Sequence, residues 1–148
     1  MNLHHDQGPV AFSADHAGYA LKEQLRNRLA ETGTPVLDLG TNSDQSVDYP
    51  DFGNGLADVL LRGDAWRGVA ICGTGLGISM AANRHPGIRC APSHDVETAR
   101  LARAHNDANV LALGARIIDP ETAWHCLQTF LATEFEAGRH AARVRKLG

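Results

Sequence analysis

The fold of this 148-residue chain is decided by residues 68–77, which read Gly-Val-Ala-Ile-Cys-Gly-Thr-Gly-Leu-Gly. The short apolar, β-branched run bounded by glycine predicts a buried parallel strand, and residues 78–83 beyond it predict the start of a helix. Cys72 is therefore expected at the carboxyl end of a strand. Ligands bind at this edge of open α/β sheets, where glycines leave backbone N–H groups free to face an anion. Such groups also favour a thiolate, so a nucleophile and an anion-binding loop are predicted at one junction.

Common nucleotide-binding patterns do not fit this glycine-rich loop. A dinucleotide-binding loop needs a third glycine at position 78, where the chain has Ile78, and a Walker loop needs a lysine that does not follow. A cysteine phosphatase would carry an arginine at that same position. Free cysteines are often simply buried apolar residues, so a structural role for Cys72 in a tight turn stays open.

The composition is typical of one globular domain without a general preference for anionic partners. The chain is 43% hydrophobic and has a formal net charge of −3, which gives no electrostatic reason to bind nucleic acid or a membrane surface. Its three cysteines lack metal-ligand spacing, which predicts reduced thiols and a cytoplasmic location. We find no membrane-spanning or signal segment in the sequence. We expect a flexible polar leader over residues 1–8 and a single domain over residues 9–148.

Short apolar runs alternate with helix-length amphipathic stretches along the chain. Right-handed crossovers between such strands predict a three-layer α/β/α sandwich with a five-stranded parallel, Rossmann-like sheet and a C-terminal helical extension. The predicted strands are 9–13, 35–39, 69–71, 88–91 and 109–113. The predicted helices are 18–31, 50–61, 95–104 and 120–134, besides the one that starts at 78, and a basic tail follows over 139–146.

Polar side chains follow four of the predicted strands. Asp15 and His16 follow the first strand, Tyr49 closes the loop after the second, Cys72 follows the third, and Arg116 lies beyond the fifth. Because the carboxyl ends of parallel strands share one edge of a sheet, we expect these groups to lie together. A turn and helix cap before the first helix is the alternative interpretation of Asp15 and His16.

His105 precedes the fifth predicted strand, so within one chain we expect it at the opposite edge from Cys72. A catalytic His105 would therefore serve the site of a neighbouring subunit. The alternative is a helix-terminal histidine that interacts with the last carbonyl groups of its own helix.

The basic tail contains Arg139 and Arg143, which share one face of a helix, with His140 beside the first. Like charges at this spacing destabilise a helix by about 0.2–0.5 kcal/mol unless an anion joins them. Guanidinium groups match phosphate oxygens in paired hydrogen bonds, which indicates a phosphate site. A solvated basic helix end is the alternative.

Five separated motifs together resemble the type B ribose-5-phosphate isomerases, in the same order and with the same spacing. The resemblance extends from roughly residue 9 to the end of the chain. The wider family includes galactose-6-phosphate isomerase subunits and isomerases of other short sugar phosphates. The motifs are residues 13–18, 48–50, 72–79, 105–111 and 138–143.

The resemblance implies an aldose–ketose isomerase of pentose phosphate metabolism that needs no metal or other cofactor. It would interconvert ribose 5-phosphate and ribulose 5-phosphate through a cis-enediolate. Cys72 matches the family's base; some members use a glutamate a few residues on, but no acid occurs between Gly73 and Arg84 here. The resemblance further implies that Thr74 and the loop amides hold the enediolate oxygens.

The resemblance also implies how the sugar ring is opened and how the substrate is held. His105 and Asp15 match the ring-opening acid/base pair, and Asn106 and Tyr49 match contacts to the sugar. One departure is Ala14, where many members carry Cys or Ser, but no assigned catalytic group is lost. The implied phosphate contacts are His16, Arg116, Arg139 and Arg143, with His140 assisting. The implied loop contacts are Gly73, Thr74, Gly75, Leu76 and Gly77.

The resemblance implies a homodimer, or a dimer of such dimers, with its site at the subunit boundary. The partner is a small sugar phosphate rather than nucleic acid or membrane. Two alternatives stay open at this point. One is isomerisation of an allose or galactose 6-phosphate or of a tetrose 4-phosphate, and the other is a non-catalytic phosphometabolite-binding or thiol-sensing module.

Overall fold

Five parallel strands form the centre of the structure, a computed structural model that describes residues 7–148. They run in the order β2-β1-β3-β5-β4 across one sheet, which confirms the predicted five-stranded parallel sheet. The predicted leader, residues 1–8, lies outside the described residues except for Gln7 and Gly8. The strands are β1 (Val10–Ala14), β2 (Val36–Asp38), β3 (Arg67–Cys72), β4 (Cys90–Pro92) and β5 (Val110–Gly114).

The helices cover both faces of this sheet, as the alternating pattern predicts. Helix α3 begins at Leu76, earlier than expected, because Gly75 takes a left-handed φ of 79° and turns the chain directly into the helix. Within the described part of the chain, none of the helices is both long and apolar enough to cross a membrane. The helices are α1 (Tyr19–Glu31), α2 (Tyr49–Leu61), α3 (Leu76–Ala82), α4 (Val96–Ala104), α5 (Pro120–Ala132) and α6 (Ala141–Arg145), with a 3-10 turn at Gly138–His140.

Alternate side chains along each strand enter two separate cores. On one face, Phe12 of β1 and Ile71 of β3 pack with residues of α1, α4 and α5. On the other face, Ala70 and Cys72 of β3 pack with residues of α2 and α3. Since the sheet is covered on both faces, its central strands are almost continuously apolar, which is the usual pattern of parallel sheets.

The strand register aligns the carboxyl ends of the central strands. Cys72 at the end of β3 pairs with Gly114 at the end of β5, and Gly68 near the start of β3 pairs with Val110. Four residues of strand therefore separate the two edges by about 13 Å. The loops after β1, β3 and β5 meet at the carboxyl edge, and the segment before β5 lies at the amino edge.

Candidate active site at the carboxyl edge of the sheet

Cys72 is 5% exposed, at the carboxyl end of β3. The Gly75 N–H donates a hydrogen bond of 3.2 Å to its Sγ. Gly75 can turn its N–H back toward the strand because its φ of 79° costs a glycine little. The predicted pairing of a thiol with a backbone N–H dipole is therefore present in the structure.

The other two cysteines lie in different surroundings. Burial, together with the nearby Cys72, raises the pKa of Cys90 to about 12. Burial likewise raises the pKa of Cys126 to about 11. All three thiols are free, but among the described residues Cys72 is the one cysteine whose sulfur accepts a hydrogen bond. Cys72 thus differs from the other two cysteines in having a backbone N–H directed at its sulfur.

The loop after Cys72 comprises residues 73–75, and we call it the Cys72 loop. It is held in place by the end of β5. The Arg116 N–H donates to the Gly73 carbonyl at 2.9 Å, and a Cβ on Gly73 would lie only 2.9 Å from Arg116 Nη1. A Cβ on Gly114 would lie 2.5 Å from the Thr74 carbonyl oxygen. The Leu76 N–H donates to Thr74 Oγ1 at 3.2 Å, which orients that hydroxyl. The glycines therefore allow a close backbone contact that fixes the shape of the loop.

Asp15 and His16 form the turn that follows β1. Asp15 Oδ1 accepts hydrogen bonds from the N–H groups of Ala17 and Gly18 at 3.0 and 3.1 Å, so the turn of the alternative interpretation is present. The helix cap is not, because Gly18 is the N-cap of α1 and no side chain caps it. A Cβ on Gly18 would lie 2.5 Å from the Ile71 carbonyl oxygen, which places this turn directly against the end of β3. The turn is therefore a neighbour of the Cys72 loop.

His16 is oriented by the long loop that precedes α2. Its Nδ1 accepts a hydrogen bond of 3.2 Å from the Val47 N–H. In a neutral imidazole with Nδ1 as acceptor, the proton lies on Nε2. His16 is thereby prepared to donate a hydrogen bond to an anion from Nε2.

Tyr49 completes the set of groups that the sequence places at this edge. Its side chain is at the start of α2, and the ring packs directly against Gly77. A Cβ on Gly77 would lie only 2.6 Å from the ring. Tyr49 is 41% exposed, so the ring also faces outward from the site. The structure thus brings Asp15, His16, Tyr49, the Cys72 loop and Arg116 to one edge of the sheet.

A second group of residues, which we call the amino-edge cluster, contains four predicted residues and one that was not predicted. The predicted ones are His105, Asn106, His140 and Arg143, and the addition is Glu136. The rings of His105 and His140 are stacked, with their centroids 4.2 Å apart and an interplanar angle of 18°. His105 Nε2 lies 3.7 Å from Glu136 Oε1, and His140 Nε2 lies 3.9 Å from the same oxygen. His105, Asn106, His140 and Arg143 line one cavity of about 330 Å³.

The amino-edge cluster is separated from Cys72 within one chain, as the sequence predicts. His105 follows the end of α4, and the chain then enters β5 at Val110, whose register partner is Gly68 at the far end of β3 from Cys72. Burial lowers the pKa of His140, and the neighbouring His105 and Arg139 lower it further. Two groups of polar residues therefore lie at opposite edges of one sheet.

Sequence reasoning did not single out Glu136, the carboxylate between the two histidines. Its N–H donates to the Ala104 carbonyl at 3.0 Å, which ties the segment after α5 to the end of α4. No helical spacing signals this contact in the sequence, because residues 133–137 are not helical and the path of this segment brings Glu136 beside His140. Arg139 does not line the cavity within the described residues, whereas Arg143 does.

Comparisons with known proteins agree with the motifs. A family model described as Ribose/Galactose Isomerase matches residues 10–147. Ribose-5-phosphate isomerase B of Escherichia coli K12 is 41% identical over 138 residues, covering 93% of this chain and 93% of the relative.

Solved structures resemble this chain over almost its whole length. Ribose-5-phosphate isomerase B of Clostridium thermocellum superposes with a TM-score of 0.93 and 48% identity, covering 95% of both chains. The Mycoplasma genitalium protein, solved with bound ribulose 5-phosphate, has a TM-score of 0.89 and 39% identity, covering 94% of this chain and 93% of its own.

Proposed function

The chain belongs to the ribose/galactose isomerase family, and on that premise we propose that it interconverts ribose 5-phosphate and ribulose 5-phosphate with Cys72 as the base. The observation that carries this proposal is the hydrogen bond from the Gly75 N–H to Cys72 Sγ at the carboxyl edge. It supplies the thiol with the donor that stabilises its thiolate. The neighbouring loop supplies amides and the Thr74 hydroxyl for oxygen atoms that gain charge.

The proton transfer follows from the chemistry of an open-chain aldose. The Cys72 thiolate removes the proton from C2, the C–H electron pair forms the C1–C2 double bond, and the carbonyl oxygen at C1 gains the negative charge. The cis-enediolate is then protonated at C1 by the Cys72 thiol, while the proton of the C2 hydroxyl moves to the oxygen on C1. The products are the ketose and the regenerated thiolate, so atoms and charges balance.

Ring opening precedes this transfer because the substrate in solution is mainly a furanose. One group must accept the proton of the anomeric hydroxyl, and another must donate a proton to the ring oxygen. We assign this pair of roles to Asp15 and His105. Since these residues lie at opposite edges of one chain, His105 would act in the site of the neighbouring subunit of a homodimer, with Asn106 contacting the sugar hydroxyls.

Cationic and imidazole groups would hold the phosphate. His16 offers Nε2 because its Nδ1 is occupied by the Val47 N–H. Arg116 lies against Gly73 at the same edge, and Arg143 lines the amino-edge cavity. We assign phosphate contacts to these three and to Arg139, with His140 assisting and Tyr49 lining the pocket. The bound ribulose 5-phosphate of the Mycoplasma genitalium relative supports a pentose phosphate as substrate.

A substrate profile of the full chain tests this proposal. Pure protein is incubated with ribose 5-phosphate, allose 6-phosphate, galactose 6-phosphate and erythrose 4-phosphate, and each ketose product is quantified. We expect the highest kcat/KM with ribose 5-phosphate. When the reaction is run in D2O, we expect deuterium at C1 of the ketose, because proton transfer through an enediolate exchanges with solvent. A higher kcat/KM for a different sugar would replace the assigned substrate. A folded protein that isomerises none of them would overturn the assignment as a sugar-phosphate isomerase.

A further inference from the structure

We propose that His105, Glu136 and His140 form a binding site for one divalent transition-metal ion of the Zn²⁺ type. Each residue offers one ligand atom, and the three atoms lie within 4.8 Å of one another. We further propose that the bound ion inhibits isomerisation; this second part rests on the proposed function, because it requires His105 to act on the sugar ring.

The chemistry of the three donors fits this ion. Two imidazole nitrogens and one carboxylate oxygen are a common ligand set for Zn²⁺, with a fourth position left for water. Zinc–ligand bonds of about 2.0–2.1 Å at tetrahedral angles place neighbouring donor atoms about 3.4 Å apart. Glu136 Oε1 is 3.7 Å from His105 Nε2 and 3.9 Å from His140 Nε2. Each of these two distances therefore needs to shorten by only a few tenths of an ångström to suit a zinc ion.

An independent observation also points to a missing ligand. His140 is 8% exposed, and its buried Nε2 has no hydrogen-bond partner among the described residues. A buried nitrogen left without a partner costs free energy, which a bound ion would recover. The unpartnered atom is the same Nε2 that lies near the carboxylate of Glu136.

Metal binding requires one defined movement. The two imidazole planes are only 18° apart, and lone pairs of nearly parallel rings do not converge on a single point. The side chain of His105 is 34% exposed and has room to rotate, whereas that of His140 is packed. We therefore expect His105 to turn toward Glu136, which unstacks the rings and removes His105 from proton transfer.

Direct binding is the primary test, in a full-length Cys72→Ser background that removes the reactive thiolate. Titration with Zn²⁺ in a calorimeter should give one ion per chain, and Co²⁺ should develop visible d–d bands without thiolate charge-transfer bands. Glu136→Gln or His140→Asn should weaken binding at least about tenfold. Glu136→Gln alters a half-exposed side chain, so loss of folding does not confound it.

The chain offers a matched control in His125, whose Nε2 lies 3.4 Å from Glu121 Oε1 on the exposed face of α5. Among residues 7–148, no third ligand completes a cluster there. His125→Asn should leave Zn²⁺ affinity unchanged. Two further histidines, His4 and His5, follow one another in the sequence. Both are replaced by asparagine in a second background, so that any Zn²⁺ binding by these two residues is measured separately. Unchanged affinity in both Glu136→Gln and His140→Asn would overturn the site.

The inhibition is tested in protein that retains Cys72. Zn²⁺ should inhibit the wild type, and at least about tenfold more Zn²⁺ should be needed for half inhibition of Glu136→Gln. Equal inhibition of the two proteins would place the inhibiting ion elsewhere, at the Cys72 thiolate for example. Because the calorimetric and Co²⁺ measurements need no turnover, failure of the metal site and failure of the proposed function give different results.

Discussion

At the residue scale, three thiols in one small domain differ in what surrounds each sulfur. All three cysteines are buried, and burial raises the pKa of Cys90 to about 12 and that of Cys126 to about 11. Cys72 differs in that its Sγ accepts a hydrogen bond from the Gly75 N–H, at the start of the loop that follows β3. The three cysteines should therefore react with alkylating reagents at different rates, although they are the same type of residue.

Alkylation by iodoacetamide at pH 8 should modify Cys72 well before the other two. A thiol with a raised pKa of about 12 is only about one part in 10⁴ thiolate at pH 8, and one with a pKa of about 11 is about one part in 10³. The reactivity of Cys90 and Cys126 should rise about tenfold per pH unit, because the thiolate is the reacting form. Peptide mass spectrometry over time measures each site. Modification of Cys90 or Cys126 at the rate of Cys72 would contradict the argument.

Cys72→Ser should lower turnover of ribose 5-phosphate by about 10²–10⁴-fold, because an alcohol is far too weak a base although it fills similar space. Substrate binding should be largely kept, which isotope-trapping or calorimetry with the sugar phosphate can check. Cys126→Ser and Cys90→Ser are the matched controls, and their turnover per folded molecule should stay close to that of the wild type. A Cys72→Ser protein that retains more than about a tenth of wild-type turnover would reject Cys72 as the base.

At the element scale, α2 and α3 support the loop after Cys72 from one face of the sheet. Gly53 of α2 is packed against α3, since a Cβ there would lie 2.9 Å from the Ala81 Cβ and 2.9 Å from the Ile78 carbonyl oxygen. Gly55 lies two residues further along α2, and a Cβ there would meet no atom within 4 Å. The same helix thus contains one glycine that the packing requires and one that it does not.

Gly53→Ala should destabilise the protein by about 1–3 kcal/mol, because the added methyl group forces two packed helices apart. Gly55→Ala should instead stabilise it by about 0.5–1 kcal/mol, since alanine loses less backbone entropy in a helix and meets open space. Urea unfolding of both variants measures the two free energies at equal protein concentration. A Gly53→Ala protein as stable as Gly55→Ala would show that the α2–α3 contact relaxes without cost.

At the scale of the whole molecule, the sheet separates two groups that the proposed reaction needs together. Cys72 ends β3 at one edge, and His105 precedes β5 at the other. Under the proposed function, one chain would therefore contain two half sites at opposite edges of its sheet. A homodimer that joins the carboxyl edge of one subunit to the amino-edge cluster of its partner would complete both sites.

Mixing inactive Cys72→Ala and His105→Ala proteins should regenerate activity once the subunits exchange. Each heterodimer would contain one site with both residues intact, so random exchange of equal amounts should restore about a quarter of wild-type activity. Mass spectrometry of differently labelled chains follows the exchange. No recovery after verified exchange would place both residues in the same site of one chain and refute the shared-site proposal.

The sequence by itself determined the elements, because their signals are local. Apolar runs such as Val69–Ile71, glycines at strand ends and prolines at helix starts act over a few residues, so strands and helices were predicted to within a few positions. The edge occupied by each polar residue followed from its place before or after a strand. The glycine-rich loop after Cys72 and the separation of His105 from it were predictable for this reason.

Only the tertiary structure decided which distant parts of the chain touch. The strand order β2-β1-β3-β5-β4 places β5 beside β3, a pairing that no local pattern specifies. The direction of the Gly75 N–H toward Cys72 Sγ depends on the backbone of the folded loop, and Glu136 meets His105 only because the chain returns to α4 after α5. Such contacts depend on how helices pack on the two faces of the sheet, since that packing, and not the adjoining sequence, brings the ends of long loops together.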